Sequence, residues 1–424
     1  MDRLLIHNIG QLVTPLGRSA RRGQEQGKLQ KLQHAWVLLE GECIAQVGEG
    51  DPPPAPGAAR LDAGGRLATP GLVDAHTHLI FGGWRQNELA LKLHGVPYLD
   101  ILAQGGGILS TVQATRAASQ QQLEEKAARA LDEMFSFGTT TCEAKSGYGL
   151  STQEECKQLR AIRALDERYP VDLVSTFLGA HALPQEYRDR RGEYLRLLCE
   201  EMIPAVAAEG LAEFCDVFCE TGVFTAEESR EILLCGRRHG LRPKIHADEI
   251  DPIGGSQLAG EVGAISAEHL IVCPPQGISS MARAGTVACL LPATSFYLGA
   301  SFAPARQMID AGVPVAMATD FNPGSCPCLN LQLVMNLGCL KYRLTPEEVL
   351  TAVTLNGAAA IGRAQTVGSL EPGKLGDLVL WEAADLEYLC YRLGSNLVHT
   401  VIKRGRPHMY GGPKGPGREN VWQN

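Results

Sequence analysis

The chain has 424 residues, 45% of them apolar, enough for a globular fold with a large core. Its net charge of −8 and dispersed lysines and arginines leave no basic stripe for nucleic acid or an anionic membrane, and no apolar run reaches the roughly 18 residues of a membrane span. Thirteen cysteines, an odd number set mostly in apolar segments without a Cys-x-x-Cys pair, point to buried free thiols and a cytoplasmic protein.

Residues 1–7 alternate in polarity too early for a signal peptide, so 4–14 reads as a first strand and 35–48 as a hairpin-like second. Between them, 18–31 is rich in Gln, Arg, Gly and Lys and is expected as a solvated loop, open to disorder. Residues 51–57 read as a stiff Pro-rich connector or surface loop. From Pro70 short apolar strands alternate with longer amphipathic helices. The first strand has its tail at Leu72 and Val73, and the others cover 138–143, 171–178, 212–218, 243–247, 264–269, 286–291 and 314–319. Helices are expected over 119–137, 153–168 and 226–239. Eight strands in this alternation are the order of a closed (β/α)8 barrel, an α/β fold of the TIM type. After about Val367 the texture is β-like again, in 367–381 and 399–405. The chain ends, 1–69 and 366–424, are therefore expected to build a small composite β-sandwich domain around an inserted barrel, 70–365.

Active sites of such barrels lie at the C-terminal ends of the strands. His76 and His78, two apart at the end of the first strand, point the same way. His181, His246 (with Glu249 three residues on), His269 and Asp320 end four others. Three histidines and one carboxylate suit a zinc-like ion with N and O ligands, and His76, His78, His246 and Asp320 are the expected set. Such an ion makes water a nucleophile near neutral pH. Hydrolysis also needs a base and an acid, roles open to Glu249, His269 and Asp320.

The stretch Pro70-Gly-Leu-Val-Asp-Ala-His-Thr-His78, with His246-Ala-Asp-Glu249, His269 and Thr319-Asp320, resembles the amidohydrolase superfamily. Residues 77–85 (Thr-His-Leu-Ile-Phe-Gly-Gly-Trp-Arg), 105–111 (Gly-Gly-Gly-Ile-Leu-Ser-Thr), 143–149 (Glu-Ala-Lys-Ser-Gly-Tyr-Gly), 179–181 and 320–325 (Asp-Phe-Asn-Pro-Gly-Ser) are similar to the imidazolonepropionase family in particular. This likeness runs over nearly the whole chain. It implies hydrolysis of 4-imidazolone-5-propanoate to N-formimidoyl-L-glutamate, the third step of histidine breakdown, by a homodimer with one zinc or iron ion per chain. The ligands it implies coincide with the set above. The substrate contacts it implies fall on Arg85, Tyr148, His181, Glu249, His269, Asn322, Gly324 and Ser325. A propanoate calls for a cation, and Arg85 can bind a carboxylate bidentately, with Tyr148 adding a neutral donor. Asn322 and Gly324 lie in a turn whose side-chain amide and backbone N–H can hold a second polar end. Under this resemblance Glu249 serves the ring nitrogens, His269 the developing oxyanion and His181 the ring or its oxygen. Which carboxylate, Glu249 or Asp320, takes the first proton stays open.

Two segments invite other readings. Lys145 follows a strand where a carboxylated lysine could bridge two metals, but its Ala-Lys-Ser-Gly-Tyr-Gly setting matches the mononuclear family. The triple glycine 105–107 lacks the Gly-Lys-Ser/Thr of a phosphate loop and is expected as a mobile loop over the site or a flexible turn. A deaminase of a heterocyclic base would share the histidines and the Asp, and Arg85 with Tyr148 argues against it by favouring an anionic substrate. A non-catalytic scaffold would be expected to have lost ligands, and none is missing.

Overall fold

A computed structural model describes residues 3–94, 96 and 106–409. The N-terminal segment supplies β1 (Arg3–Thr14), β2 (Gln30–Glu40), β3 (Cys43–Glu49), β4 (Ala59–Asp62) and β5 (Leu67–Pro70). β1 pairs antiparallel with β2, and its other edge takes β4 along residues 4–7 and β5 along residues 11–12, both parallel. The change of partner falls at a bulge between Ile6 and Ile9, where Asn8 adopts φ 56°, the left-handed conformation that Asn tolerates better than most residues.

The barrel follows as β6 (Leu72–Asp74), β7 (Thr139–Lys145), β8 (Asp172–Ala180), β9 (Phe214–Cys219), β10 (Arg242–Ala247), β11 (Ser266–His269), β12 (Val287–Leu290) and β13 (Val315–Met317). These eight strands are parallel and ordered consecutively from β6 to β13. The ring closes just beyond β6 and β13, where Asp320 N donates to His76 O (3.1 Å) and His78 N to Phe321 O (2.9 Å). Asp74 reinforces the seam, accepting from Thr319 N (3.0 Å) and Thr319 Oγ1 (2.6 Å). The intervening helices bury one stripe each. In Gln120–Ser136 this stripe is Leu123, Ala127, Ala130, Leu131, Met134 and Phe135, and a capping box between Ser119 and Gln122 starts the helix.

The C-terminal strands β14 (Leu378–Trp381), β15 (Val398–Lys403) and β16 (Arg406–Met409) complete the first sheet, whose order is β16-β15-β14-β5-β1-β2-β3 with β4 on β1. Strands from the N- and C-terminal segments are thus hydrogen-bonded, as the sequence suggests, into a single mixed sheet that folds around Leu4, Ile6, Ile9, Val37, Leu378 and Ile402. Trp381 is fully buried in the main core beside barrel residues and donates to Thr69 Oγ1 at 2.9 Å.

The segment 18–31 faces solvent over most of its length, as expected, but it is ordered rather than open to disorder. It contains a short turn, Gly23–Gly27, and its end already belongs to β2. Gln26 is fully buried, and its amide exchanges hydrogen bonds with Val315, Oε1 accepting from Val315 N and Nε2 donating to Val315 O, both at 3.0 Å. A side-chain amide here replaces the partner strand that β13 lacks. In the triple-glycine segment, Gly105 lies outside the described residues. Gly107 caps the helix Ile108–Ala117 and donates its N–H to buried Glu88 Oε1 at 2.7 Å.

Candidate active site

His76 and His78 leave the end of β6 and His246 comes from β10, where alternation turns them to the barrel axis. The ring centroids of His76 and His246 are 4.7 Å apart, and His78 Nε2 lies 3.4 Å from His246 Nε2. Asp320 Oδ1 is 3.4 Å from His76 Nε2 and 3.6 Å from His78 Nε2. Candidate ligand atoms of His76, His78 and His246, and likewise of His76, His269 and Asp320, lie within 4.8 Å of one another. All are buried. Both ring nitrogens of His76 and Oδ1 of Asp320 find no hydrogen-bond partner among the described residues. Buried polar atoms are rarely left so, and this donor set fits a cation taking N and O ligands. Burial, then neighbouring positive charge, holds the imidazoles of His76, His78 and His246 well below their ordinary pKa, in the neutral form that ligates.

A charged layer lies directly beneath. Asp216 of β9 accepts from His246 Nδ1 at 3.1 Å, which leaves His246 Nε2 to face His78. Lys145 joins Asp216 Oδ2 (2.7 Å) to Glu143 Oε2 (3.0 Å), and Lys244 joins Glu143 Oε1 (3.1 Å) to Glu268 Oε1 (3.3 Å). All five are buried. Against the cost of burial, Asp216 and Glu143 hold Lys145 above its ordinary pKa, so it is a charged ion-pair partner here and not a neutral amine awaiting carboxylation. The sequence reading passes over Glu143, Asp216, Lys244 and Glu268. Their signal is a charge at an inward position of an otherwise apolar strand.

Around the centre, Glu249 Oε1 approaches His269 Nδ1 at 3.6 Å. Burial, then the charge of Glu220, pushes the Glu249 carboxyl up to about 7. Burial raises Asp320 to about 6, against the opposing pull of His269 and a 2.7 Å bond from Thr294 Oγ1. His269 itself is lowered by burial. His269 (φ 68°) and Asp320 (φ 55°) both adopt left-handed backbone conformations, local strain that functional sites commonly hold.

On the rim, the His181 ring stacks on His78 at 4.9 Å and 11°, with its Nδ1 3.0 Å from Gly147 O. Burial lowers it to about 4, so the ring is neutral, Nδ1–H donates, and Nε2 is an acceptor. Tyr148 is buried, 5.3 Å from the His181 ring and 5.8 Å from that of His78. Its loop is tied down by Glu155, which accepts from the N–H groups of Gly147, Gly149 and Leu150 at 2.7–3.0 Å, and by Gln158, which accepts from Tyr148 N. Arg85, its side chain only 10% exposed, lies against Gly324, and its Nε has no hydrogen-bond partner among the described residues.

Asn322 has a different posture from the one its turn suggests. Its Oδ1 accepts from Gly324 N (2.9 Å), Ser325 N (2.7 Å) and Ser325 Oγ (3.0 Å), and Nδ2 donates to Asp320 O (2.8 Å). The side chain and both amides therefore close the 320–325 loop on itself.

Residues 67–407 match the amidohydrolase family profile. The chain is 51% identical over 412 residues to imidazolonepropionase from Alkaliphilus metalliredigens (strain QYMF), covering 96% of this chain and 98% of that one. It is 51% identical over 415 residues to imidazolonepropionase from Bacillus cereus (strain G9842), covering 96% of both. Among solved structures the fold is shared with a Xaa-Pro dipeptidase (TM-score 0.70, 16% identity, 96% of this chain and 100% of that one). It is shared too with atrazine chlorohydrolase from Arthrobacter aurescens TC1 complexed with zinc (TM-score 0.67, 19% identity, 95% and 94%). The first two likenesses extend across the barrel and the terminal sheet alike, and the chain belongs to the imidazolonepropionases of the amidohydrolase family.

Proposed function

We infer that this chain hydrolyses the cyclic amide of 4-imidazolone-5-propanoate to N-formimidoyl-L-glutamate in histidine breakdown. The observation that carries this reaction is identity at half of all positions, over 96% of the chain, with relatives named for it. His76, His78, His246 and Asp320 would hold one zinc or iron ion, which supplies electrophilic activation of water and of the ring carbonyl.

The other roles fall to residues of this chain. Arg85 receives the propanoate, with Tyr148 as a neutral donor, because a mostly buried guanidinium whose Nε lies 4.0 Å from Glu88 Oε2 without a hydrogen bond among the described residues is suited to a carboxylate. Neutral His181 offers Nε2 to a ring N–H. His269, neutral and turned toward the centre by its strained backbone, donates to the oxygen that gains charge as the ring carbonyl is attacked. Asp320 is a proton acceptor as well as a ligand. Glu249, held near neutrality, takes a proton at one stage and returns it to the leaving ring nitrogen at another. Asn322, Gly324 and Ser325 shape the loop that faces Arg85. Free thiols at all thirteen cysteines support a cytoplasmic setting, and a homodimer is the assembly proposed.

The test incubates purified protein with freshly generated 4-imidazolone-5-propanoate, follows loss of its ultraviolet absorbance and counts metal in the same sample. Turnover with about one ion per chain, lost on chelation, is expected. Full metal without turnover would overturn the reading and redirect the assay to ammonia release from heterocyclic bases.

A further inference from the structure

We propose that Glu220 is a positioning residue that fixes the backbone carrying Glu249 and so acts on the reaction through it. Glu220 follows β9 at the same barrel mouth and is 1% exposed. Its carboxylate turns to backbone. Oε1 accepts from Thr221 N (2.8 Å) and Asp251 N (3.0 Å), and Oε2 accepts from Ile250 N (2.9 Å). Two of these three amides are the first two after Glu249. On the other side, Asp248 takes a left-handed turn (φ 52°), and its carbonyl accepts from Val272 N at 2.9 Å. Glu249 is therefore clamped from both neighbours, from β9 through Glu220 and from beyond β11 through Val272.

A buried carboxylate is costly unless its lone pairs are met, and here loop amides meet both oxygens. The loop carries the most mobile demand of the site, a side chain that must serve the attacked carbon and the leaving nitrogen in turn. Misplacing such a group by about 1 Å can lower turnover by up to about a hundredfold. The negative charge of Glu220 also favours the protonated form of Glu249, second to burial.

This proposal rests on the reading of Glu249 as the proton carrier, and a double-mutant cycle separates the two. Glu220→Gln keeps one carbonyl oxygen but turns an NH2 group toward a loop amide. It is expected to lower kcat about tenfold, with KM and metal content little changed, and to speed amide exchange at Ile250 and Asp251. In a Glu249→Gln background the same change is expected to cost almost nothing more. Glu220→Asp, which keeps the charge but withdraws the acceptors by one methylene, is expected to lower kcat likewise and serves if the Gln variant does not fold. Unchanged kcat in E220Q or E220D, or an equal tenfold loss in the E249Q background, overturns the proposal. Full turnover by E249Q alone would overturn the role of Glu249 itself, and the proposal with it.

Discussion

Gly324 and Arg85 meet so closely that a single methyl group tests the anion-binding reading. A Cβ on Gly324 would sit 1.1 Å from Arg85 Nη2, 1.9 Å from Cζ and 2.2 Å from Nε. Ordinary contact is about 3.5 Å, so in Gly324→Ala the guanidinium must move by roughly 2 Å. Hydrogen bonds to a charged group contribute about 1.5–3 kcal/mol, and losing one of that size raises KM about 10- to 150-fold. The assay is steady-state turnover of the propanoate substrate beside its uncharged propanamide analogue, with metal content and a thermal melt as controls. G324A should raise KM for the propanoate and leave that for the amide nearly unchanged, and Arg85→Met should add little once G324A is present. Equal KM changes for both substrates, or none for either, would refute the assignment of Arg85 to the carboxylate.

Glu249→Gln should lower kcat by about 10²–10⁴ while metal content stays at the wild-type level, and parallel loss of both would show that Glu249 holds the centre together instead. His76→Ala should lose bound metal and activity together, measured by elemental analysis after gel filtration, since neither nitrogen of this ring has a hydrogen-bond partner among the described residues. Lys145→Met removes the cation shared by Glu143 Oε2 and Asp216 Oδ2, leaving them only Lys244 and His246, and should destabilise the fold by about 3–5 kcal/mol in denaturant titration, whereas a loss under about 1 kcal/mol would mean that the buried layer is not an ion-pair network. Gln26→Ala should cost about 1–3 kcal/mol by leaving Val315 N unpaired, since Asn356 Nδ2 still donates to Val315 O, with kcat and KM retained at moderate temperature.

The residues of the candidate metal centre were legible because histidines and carboxylates at the ends of apolar strands have few other uses, and strand periodicity puts them on one side. His76, His78, His246, His269 and Asp320 converge for that reason. The helix expected over 119–137 is observed as Gln120–Ser136, its start set by Ser119, a local signal. What stayed hidden depends on distant partners. Nothing near Gln26 in the sequence announces Val315, and nothing near Glu155 or Glu220 reveals which loop amides their carboxylates meet. The motif around Lys145 already speaks against a metal bridge, but its partners Asp216 and Glu143, on β9 and β7, appear only in the fold. The turn at Asn322 was visible, but its geometry alone shows that the amide is spent within the loop.

The clasp of Gln26 on Val315 spans 289 positions, and β14 meets β5 only when Leu378 reaches Pro70. At about 5–20 residues per second, a ribosome needs roughly 15–60 s to make the chain between Gln26 and Val315. For most of that interval β1, β2 and β3 are already made, with Leu4, Ile6 and Ile9 lacking their covering partners Leu378 and Ile402. The nascent N-terminus is thus an open, adhesive sheet for most of synthesis, and the chain's yield in a cell should depend on holding chaperones more than its finished stability would suggest.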